Sequence, residues 1–292
     1  MAAAERAEIT GADFFTTLGG LQAHYVEWGD PQAPPIVLLH GLRSYARTWE
    51  PVVAALADRY RLIALDHRGR GESDWDPAEE YFIGSYVSDL EQFADTLGLT
   101  RFALVGHSMG GATALVYAAR HPERVRLLVA EDVGPGSSAA TTGAERVKRE
   151  LAETPREFAT LAAARAYWRS VRPGISEEAL RSRVRHTLRE DPSGRWVWKF
   201  DLDGIARARL NPDPARQIDL WPPVAALRCP ALVLRGAQTD FLPISTCEEM
   251  ATRQPLLGWA EIPEAGHYVH DDNLSDYLTA LGSFLDQHSG RA

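Results

Sequence analysis

Short, continuously apolar runs alternate with amphipathic stretches along most of this chain. Runs rich in β-branched or aromatic residues occur at Phe14–Leu18, Ala23–Trp28, Ile36–Leu39, Leu62–Leu65, Phe102–Val105, Leu127–Ala130, Leu232–Leu234 and Trp259–Ile262, and each predicts a strand. The first two read as an antiparallel hairpin. The later runs show no polar face and are separated by helical patterns such as Tyr86–Leu97 and Ala112–Arg120, as expected of a parallel sheet covered on both sides. Ligands of such sheets bind beyond the carboxyl ends of the strands.

From Gly134 to about Pro214 the strand rhythm stops. Ala-, Arg- and Glu-rich segments take over, broken by turn signals at Pro155, Pro173-Gly174 and Pro192-Ser193-Gly194. This predicts a helical insertion that leaves and re-enters the same edge of the sheet and folds over it as a cap. The expected organisation is a first core part at 1–133, a helical cap at 134–214 and a second core part at 215–292, with the small-residue stretch Gly134–Gly143 as hinge. No internal repeat is present.

With 292 residues, 45% of them hydrophobic, the chain is long enough to bury a substantial core. A formal charge of -9 argues against a nucleic-acid surface, which needs clustered Lys and Arg. The densest basic cluster, Arg181, Arg183, Arg185 and Arg189, has Glu177, Glu178 and Glu190 nearby and reads as a solvated helix face. Met1–Thr10 lacks the apolar core of a signal peptide, and no stretch approaches a membrane span. Two cysteines, Cys229 and Cys247, make no disulfide framework and no zinc spacing, so a cytoplasmic location with no metal is expected.

The chemistry centres on Gly106-His107-Ser108-Met109-Gly110, which joins the run Phe102–Val105 to the helical pattern from Ala112. A serine on a sharp strand-to-helix turn between small residues is a nucleophile elbow. Serine hydroxyl needs a positioned base. His267, in the loop after the last strand pattern and its Pro263-Glu264 turn, is favoured over its neighbour His270. The carboxylate that orients the imidazole is assigned to Asp240, after Leu232–Gly236. Glu131 and Asp132, which close the strand ahead of the cap, are the rivals, with capping or hinge hydrogen bonding the alternative role for Asp132.

Together His40-Gly41-Leu42, Asp66-His67-Arg68-Gly69-Arg70-Gly71-Glu72-Ser73, the Ser108 elbow, Asp240 and His267 resemble the α/β-hydrolase superfamily, over nearly the whole chain outside the cap. The resemblance implies a mostly parallel eight-stranded sheet with helices on both faces. It also implies an oxyanion hole formed by the backbone N–H groups of Leu42 and Met109, where losing one donor typically costs about 2.7–4 kcal/mol. By the same resemblance His40 shapes the oxyanion loop, while Asp66, Arg68, Gly69 and Gly71 build a supporting polar turn and His107 packs beneath the elbow.

The expected reaction is acyl transfer from a small to medium, largely apolar ester through an acyl-enzyme on Ser108, without a cofactor. Tyr45, Trp49, Trp168, Trp196, Trp198 and Phe241 are the expected walls of a pocket between core and cap. Serine at the elbow counts against the epoxide hydrolases and haloalkane dehalogenases of this superfamily, which use aspartate there. Leu42-Arg43 lacks the proline common in cofactor-free haloperoxidases. Carbon-carbon bond hydrolases of ring-cleavage products share the triad and cap and form the second reading, with a ligand receptor on the same fold third. Gly106–Gly111 lacks the dinucleotide spacing Gly-x-Gly-x-x-Gly. The expected partner is therefore a small-molecule ester, with no nucleic acid and no membrane, bound by a monomer or homodimer.

Overall fold

The computed structural model describes residues 10–137 and 141–288. Most of the N-terminal stretch Met1–Thr10 and the middle of the small-residue hinge lie outside the described residues. The chain opens with the hairpin β1 (Ala12–Leu18) and β2 (Leu21–Trp28), then β3 (Pro35–Leu39), helix α1 (Glu50–Leu56), β4 (Arg61–Leu65), α2 (Ile83–Thr96), β5 (Phe102–His107), α3 (Met109–Arg120) and β6 (Val125–Glu131). It then leaves the main sheet for α4 (Thr142–Ala152), β7 (Glu157–Phe158), α5 (Leu161–Val171), α6 (Glu177–Thr187), β8 (Leu188–Glu190), β9 (Trp196–Trp198) and α7 (Leu202–Leu210). It returns through α8 (Trp221–Ala226) to β10 (Ala231–Gly236), α9 (Ile244–Arg253), β11 (Leu257–Ile262), α10 (Val269–Asp272) and α11 (Leu274–His288).

All eight core strands expected from the apolar runs form one sheet, ordered β1-β2-β4-β3-β5-β6-β10-β11. β2 is antiparallel to β1 and β4, and the remaining pairs are parallel. The two-residue side-chain period of a strand explains the layering. Val37 and Leu39 of β3 face the layer that holds Leu90, Phe93 and Leu115 of α2 and α3. Ile36 and Leu38 face the opposite layer, with Val53 of α1 and Tyr277 and Leu281 of α11. Each fully buried aliphatic side chain contributes about 1.5–3 kcal/mol, so a sheet covered on both faces is strongly held.

The segment between β6 and β10 is not purely helical. A three-stranded antiparallel sheet, β7-β9-β8, sits among its helices. Strands of two and three residues are too short to show a period of two in sequence, which is why only helix was expected. This segment has its own core, in which Phe158, Ala164, Trp168, Leu180, Trp198 and Ile205 pack together. The expected solvated arginine face needs one correction: Arg181, Arg185 and Arg189 are exposed, but Arg183 is 1% exposed. It pairs with Asp271 of α10 at 2.9 Å and stacks on Trp168 and Tyr268. Among the described residues no helix is long and apolar enough to cross a membrane.

Candidate active site

β5 ends at His107 and α3 begins at Met109, leaving Ser108 alone in the turn with φ 52° and ψ -115°. A non-glycine residue held there stores about 1–3 kcal/mol of strain, so its surroundings must fix it. Ser108 N–H donates to Glu131 O at 2.8 Å and Ala112 N–H donates to Ser108 O at 2.9 Å. The flanking glycines are required by close approach. A Cβ on Gly106 would lie 2.5 Å from the Gly110 backbone, and one on Gly110 would lie 2.3 Å from Leu39 O.

Strand register places the next group. Gly106 pairs with Ala130 and His107 with Glu131, so one step further on Ser108 and Asp132 stand across from each other at the ends of β5 and β6. His267, in the loop after β11, bridges them. Its Nε2 lies 3.0 Å from Ser108 Oγ and its Nδ1 lies 2.7 Å from Asp132 Oδ2. All three are buried. Asp132 has φ 49° and also accepts hydrogen bonds from Thr239 Oγ1 at 2.6 Å and from Gly236 N–H at 3.2 Å. With its acceptors filled in this way, the carboxylate is fixed in one orientation and holds the imidazole with Nδ1 protonated and Nε2 free to accept the serine proton.

The expectation for Asp240 is therefore corrected. Its two carboxylate oxygens each accept at 2.8 Å from Arg146 of α4, and its carbonyl accepts from Gly143 N–H at 2.9 Å. These bonds to Arg146 hold its pKa below the usual carboxylate value. Asp240 thus fastens α4 to the loop after β10, and Asp132, the residue set aside as a cap or hinge, holds the histidine. Glu131 points the other way along the strand: both its oxygens lie 2.8 Å from Nδ1 of His270, and His270 also stacks on Trp49 at 4.5 Å. Burial opposes a charge on His270, but the Glu131 and Asp271 carboxylates prevail and raise its pKa.

Leu42 sits in the turn after β3 and lines the cavity described below. Met109 is the first residue of α3, so its N–H has no intrahelical acceptor. Arg70, fully buried, braces both: Nε–H donates to Leu42 O at 3.2 Å and Nη2 approaches Met109 Sδ at 3.6 Å, while Nη1 donates to Tyr86 OH at 2.8 Å. His40 has a supporting geometry. Its Nε2 accepts from His67 N–H at 3.1 Å and its Nδ1 donates to Gly41 O at 2.8 Å, and burial pushes its pKa down to about 4, so it is neutral. His107 is buried beneath the elbow and donates from Nε2 to His267 O at 2.8 Å. Asp66 gathers Ala46 N–H, His24 Nδ1 and Glu72 N–H on its two oxygens, and Arg68 grips Asp89 and Asp76. Gly71, at φ 55°, leaves the room Asp66 needs, because a Cβ there would lie 2.0 Å from its carboxylate.

A cavity of about 660 Å³ opens above Ser108 and His267, between the sheet edge and α4 and α7. Of the six expected walls only Phe241 lines it, with its ring 4.3 Å from that of His267. Tyr45 is buried and donates to Ser182 Oγ at 2.8 Å, and Trp49 lies behind the site against His270. Trp168 and Trp198 meet edge-on at 5.8 Å inside the core of the inserted segment, and Trp196 belongs to its small sheet. Large aromatics are effective core fillers: Trp168 and Trp198 serve the core of the inserted segment, with Trp196 packed against it, and Trp49 serves the core under the main sheet. The cavity instead takes Tyr81, Phe82, Ile83, Leu151, Leu220 and Tyr268. The signal available in sequence was the triplet Tyr81-Phe82-Ile83, which leads into α2.

The model of a family described as alpha/beta hydrolase fold matches residues 34–274. A 3-hydroxybutyrate-oligomer hydrolase of Cupriavidus necator is 30% identical over 254 residues, covering 83% of this chain and 86% of that protein. A 2-(acetamidomethylene)succinate hydrolase of Mesorhizobium japonicum is 28% identical over 255 residues, covering 87% and 88%. The crystal structure of an E-2-(acetamidomethylene)succinate hydrolase superposes with a TM-score of 0.86 at 26% identity, over 95% of this chain and 100% of that one. With its sheet order, its elbow and a family match spanning most of its length, the chain belongs to the α/β-hydrolase superfamily.

Proposed function

We propose that this hydrolase cleaves carboxylic esters of small to medium size through an acyl-enzyme on Ser108. The observation that carries the reading is the unbroken line from Ser108 Oγ to His267 to Asp132, at 3.0 and 2.7 Å, on the floor of the cavity. In the first half-reaction Ser108 Oγ–H passes its proton to His267 Nε2 as the oxygen attacks the ester carbonyl. The N–H groups of Leu42 and Met109 take the developing oxyanion, and His267 returns the proton to the departing alcohol. Water activated by the same imidazole then releases the acid. Asp132 remains ionised throughout and steadies the imidazolium.

A second reading is hydrolysis of a bond other than an ester, including the carbon-carbon bond of ring-cleavage products, by the same triad. It is favoured by the likeness to a relative named for 2-(acetamidomethylene)succinate, a molecule without an ester. The two relatives' names, an oligomer of 3-hydroxybutyrate and a succinate, suggest substrates that carry carboxylates. A panel of p-nitrophenyl esters combined with fluorophosphonate labelling tests the ester reading. Turnover of a short or medium acyl chain that disappears in Ser108→Ala, together with labelling confined to Ser108, is expected. Labelling of Ser108 with no turnover of any ester overturns it in favour of the second reading.

A further inference from the structure

Arg209, near the end of α7, lines the cavity above Ser108 and has no carboxylate partner among the described residues. Every other cation on the cavity wall has one. Arg43 pairs with Glu150, Lys148 with Glu145 at 2.9 Å, and Arg216 with Glu80. Arg207, in the same last helical turn, reaches out to Glu79, so a cation at the end of this helix can find an acid where one is provided. Arg209 faces the cavity instead, with the positive charge of Arg70 nearby. Arg70 is fully buried and is satisfied by carbonyls, a phenol and a sulfur, with no acid. Burial, and then this like charge, hold the pKa of Arg209 below the ordinary arginine value, with only Tyr86 acting in the other direction.

A guanidinium stays protonated in a protein, so the cost of leaving it unpaired and partly desolvated is carried by the free protein. An incoming anion offsets that cost, and the planar fork of arginine matches a carboxylate in two parallel hydrogen bonds. The acids that share the cavity wall are already engaged: Asp213 accepts from Ala215 N–H at 2.9 Å and Asp219 from Trp221 N–H at 3.0 Å. We propose that Arg209 forms a carboxylate subsite, so that the substrate is a monoester of a dicarboxylic acid, or an ester of similar reach, whose free carboxylate pairs with this guanidinium while its ester lies at Ser108. The proposal rests on the ester-hydrolase reading above and narrows its substrate class.

The test compares mono-p-nitrophenyl glutarate, which carries a free carboxylate, with neutral p-nitrophenyl butyrate. The native chain is expected to favour the anionic ester in kcat/KM. Arg209→Gln should lower the ratio of anionic to neutral hydrolysis about 10- to 100-fold, the scale of a lost charge-assisted hydrogen bond, and Arg209→Lys should restore part of it. Free glutarate should inhibit butyrate hydrolysis competitively, and Arg209→Gln should weaken that inhibition by a similar factor. An unchanged ratio in Arg209→Gln, or a native preference for the neutral ester, overturns the subsite. Calorimetry on Ser108→Ala with monomethyl glutarate separates the two readings. Binding that depends on Arg209 without turnover of either ester by the native chain leaves the subsite standing and the ester reading overturned. Turnover of butyrate with no Arg209-dependent binding does the reverse.

Discussion

His267 Nδ1 lies 2.7 Å from Asp132 Oδ2, one residue beyond the strand that flanks the one leading into Ser108. Carboxylate, imidazole and hydroxyl are therefore set by two adjacent parallel strands and one returning loop. Asp132→Asn should lower kcat on a p-nitrophenyl ester about 10⁴-fold, because an amide favours the wrong imidazole tautomer. Asp240→Asn should change it by no more than about threefold, consistent with a half-exposed ion pair. Steady-state kinetics on the two variants decides, and comparable losses would return Asp240 to the site.

The elbow makes a stability prediction independent of any substrate. A methyl group on Gly110 meets the backbone carbonyls of Leu39 and His40, at 2.3 and 2.8 Å, and neither can move without shifting β3. Gly110→Ala should cost about 3 kcal/mol in urea unfolding, at the upper end for overpacking. A cost below 1 kcal/mol, on the order of an ordinary surface change, would show that β3 and α3 are less tightly locked than the geometry implies.

Two aromatics that read alike in sequence should separate by assay. Trp168 is fully buried between Arg43 and Arg183, away from the cavity, so Trp168→Ala should cost about 3–5 kcal/mol in stability. Phe241 borders both the cavity and the His267 ring, so Phe241→Ala should act on the reaction, raising KM for an apolar ester about 2- to 12-fold. Unfolding curves and KM values measured side by side on both variants check the division of labour.

Acid sensitivity follows from histidines that the fold keeps neutral. Burial pushes His40 down to about 4, burial and nearby cations push His186 to about 4, and burial drives His67 and His107 well below the ordinary value. In this case the unfolded chain takes up protons that the folded one refuses. Stability is therefore full above the ordinary histidine pKa of 6.5 and declines as pH falls from there toward 4. The slope is up to about 1.4 kcal/mol per pH unit for each fully buried ring. His24 and His270, whose values are raised, act oppositely, contributing below 6.5 and fading as pH rises through their raised values. Urea midpoints across this window should slope less steeply in His186→Gln, and an identical slope would remove His186 from the account.

Sequence alone carried the sheet, the turn around Ser108 and the loop that brings His267 beside it, because each leaves a local trace: an apolar run, a glycine-flanked serine, a polar loop after a strand. The acid left no such trace. Glu131-Asp132 and Asp240 both follow a strand that ends at the same edge, and only register decides which of them stands across from Ser108. Arg146, which claims Asp240, lies 94 residues away in the chain, beyond the reach of any local pattern. The aromatic walls were misread for a related reason. Tryptophans mark a place where apolar bulk is needed, and composition does not say whether a core or a cavity needs it.

The ion pairs around α4 form an unbroken series: Asp240 to Arg146, Arg146 to Glu150, and Glu150 to Arg43, the residue after Leu42. The helix beside the cavity and the turn that carries Leu42 consequently share one girder. A chimaera that imports this helix from a relative would have to bring matching partners at 43 and 240, or it would inherit a beam that no longer reaches its supports.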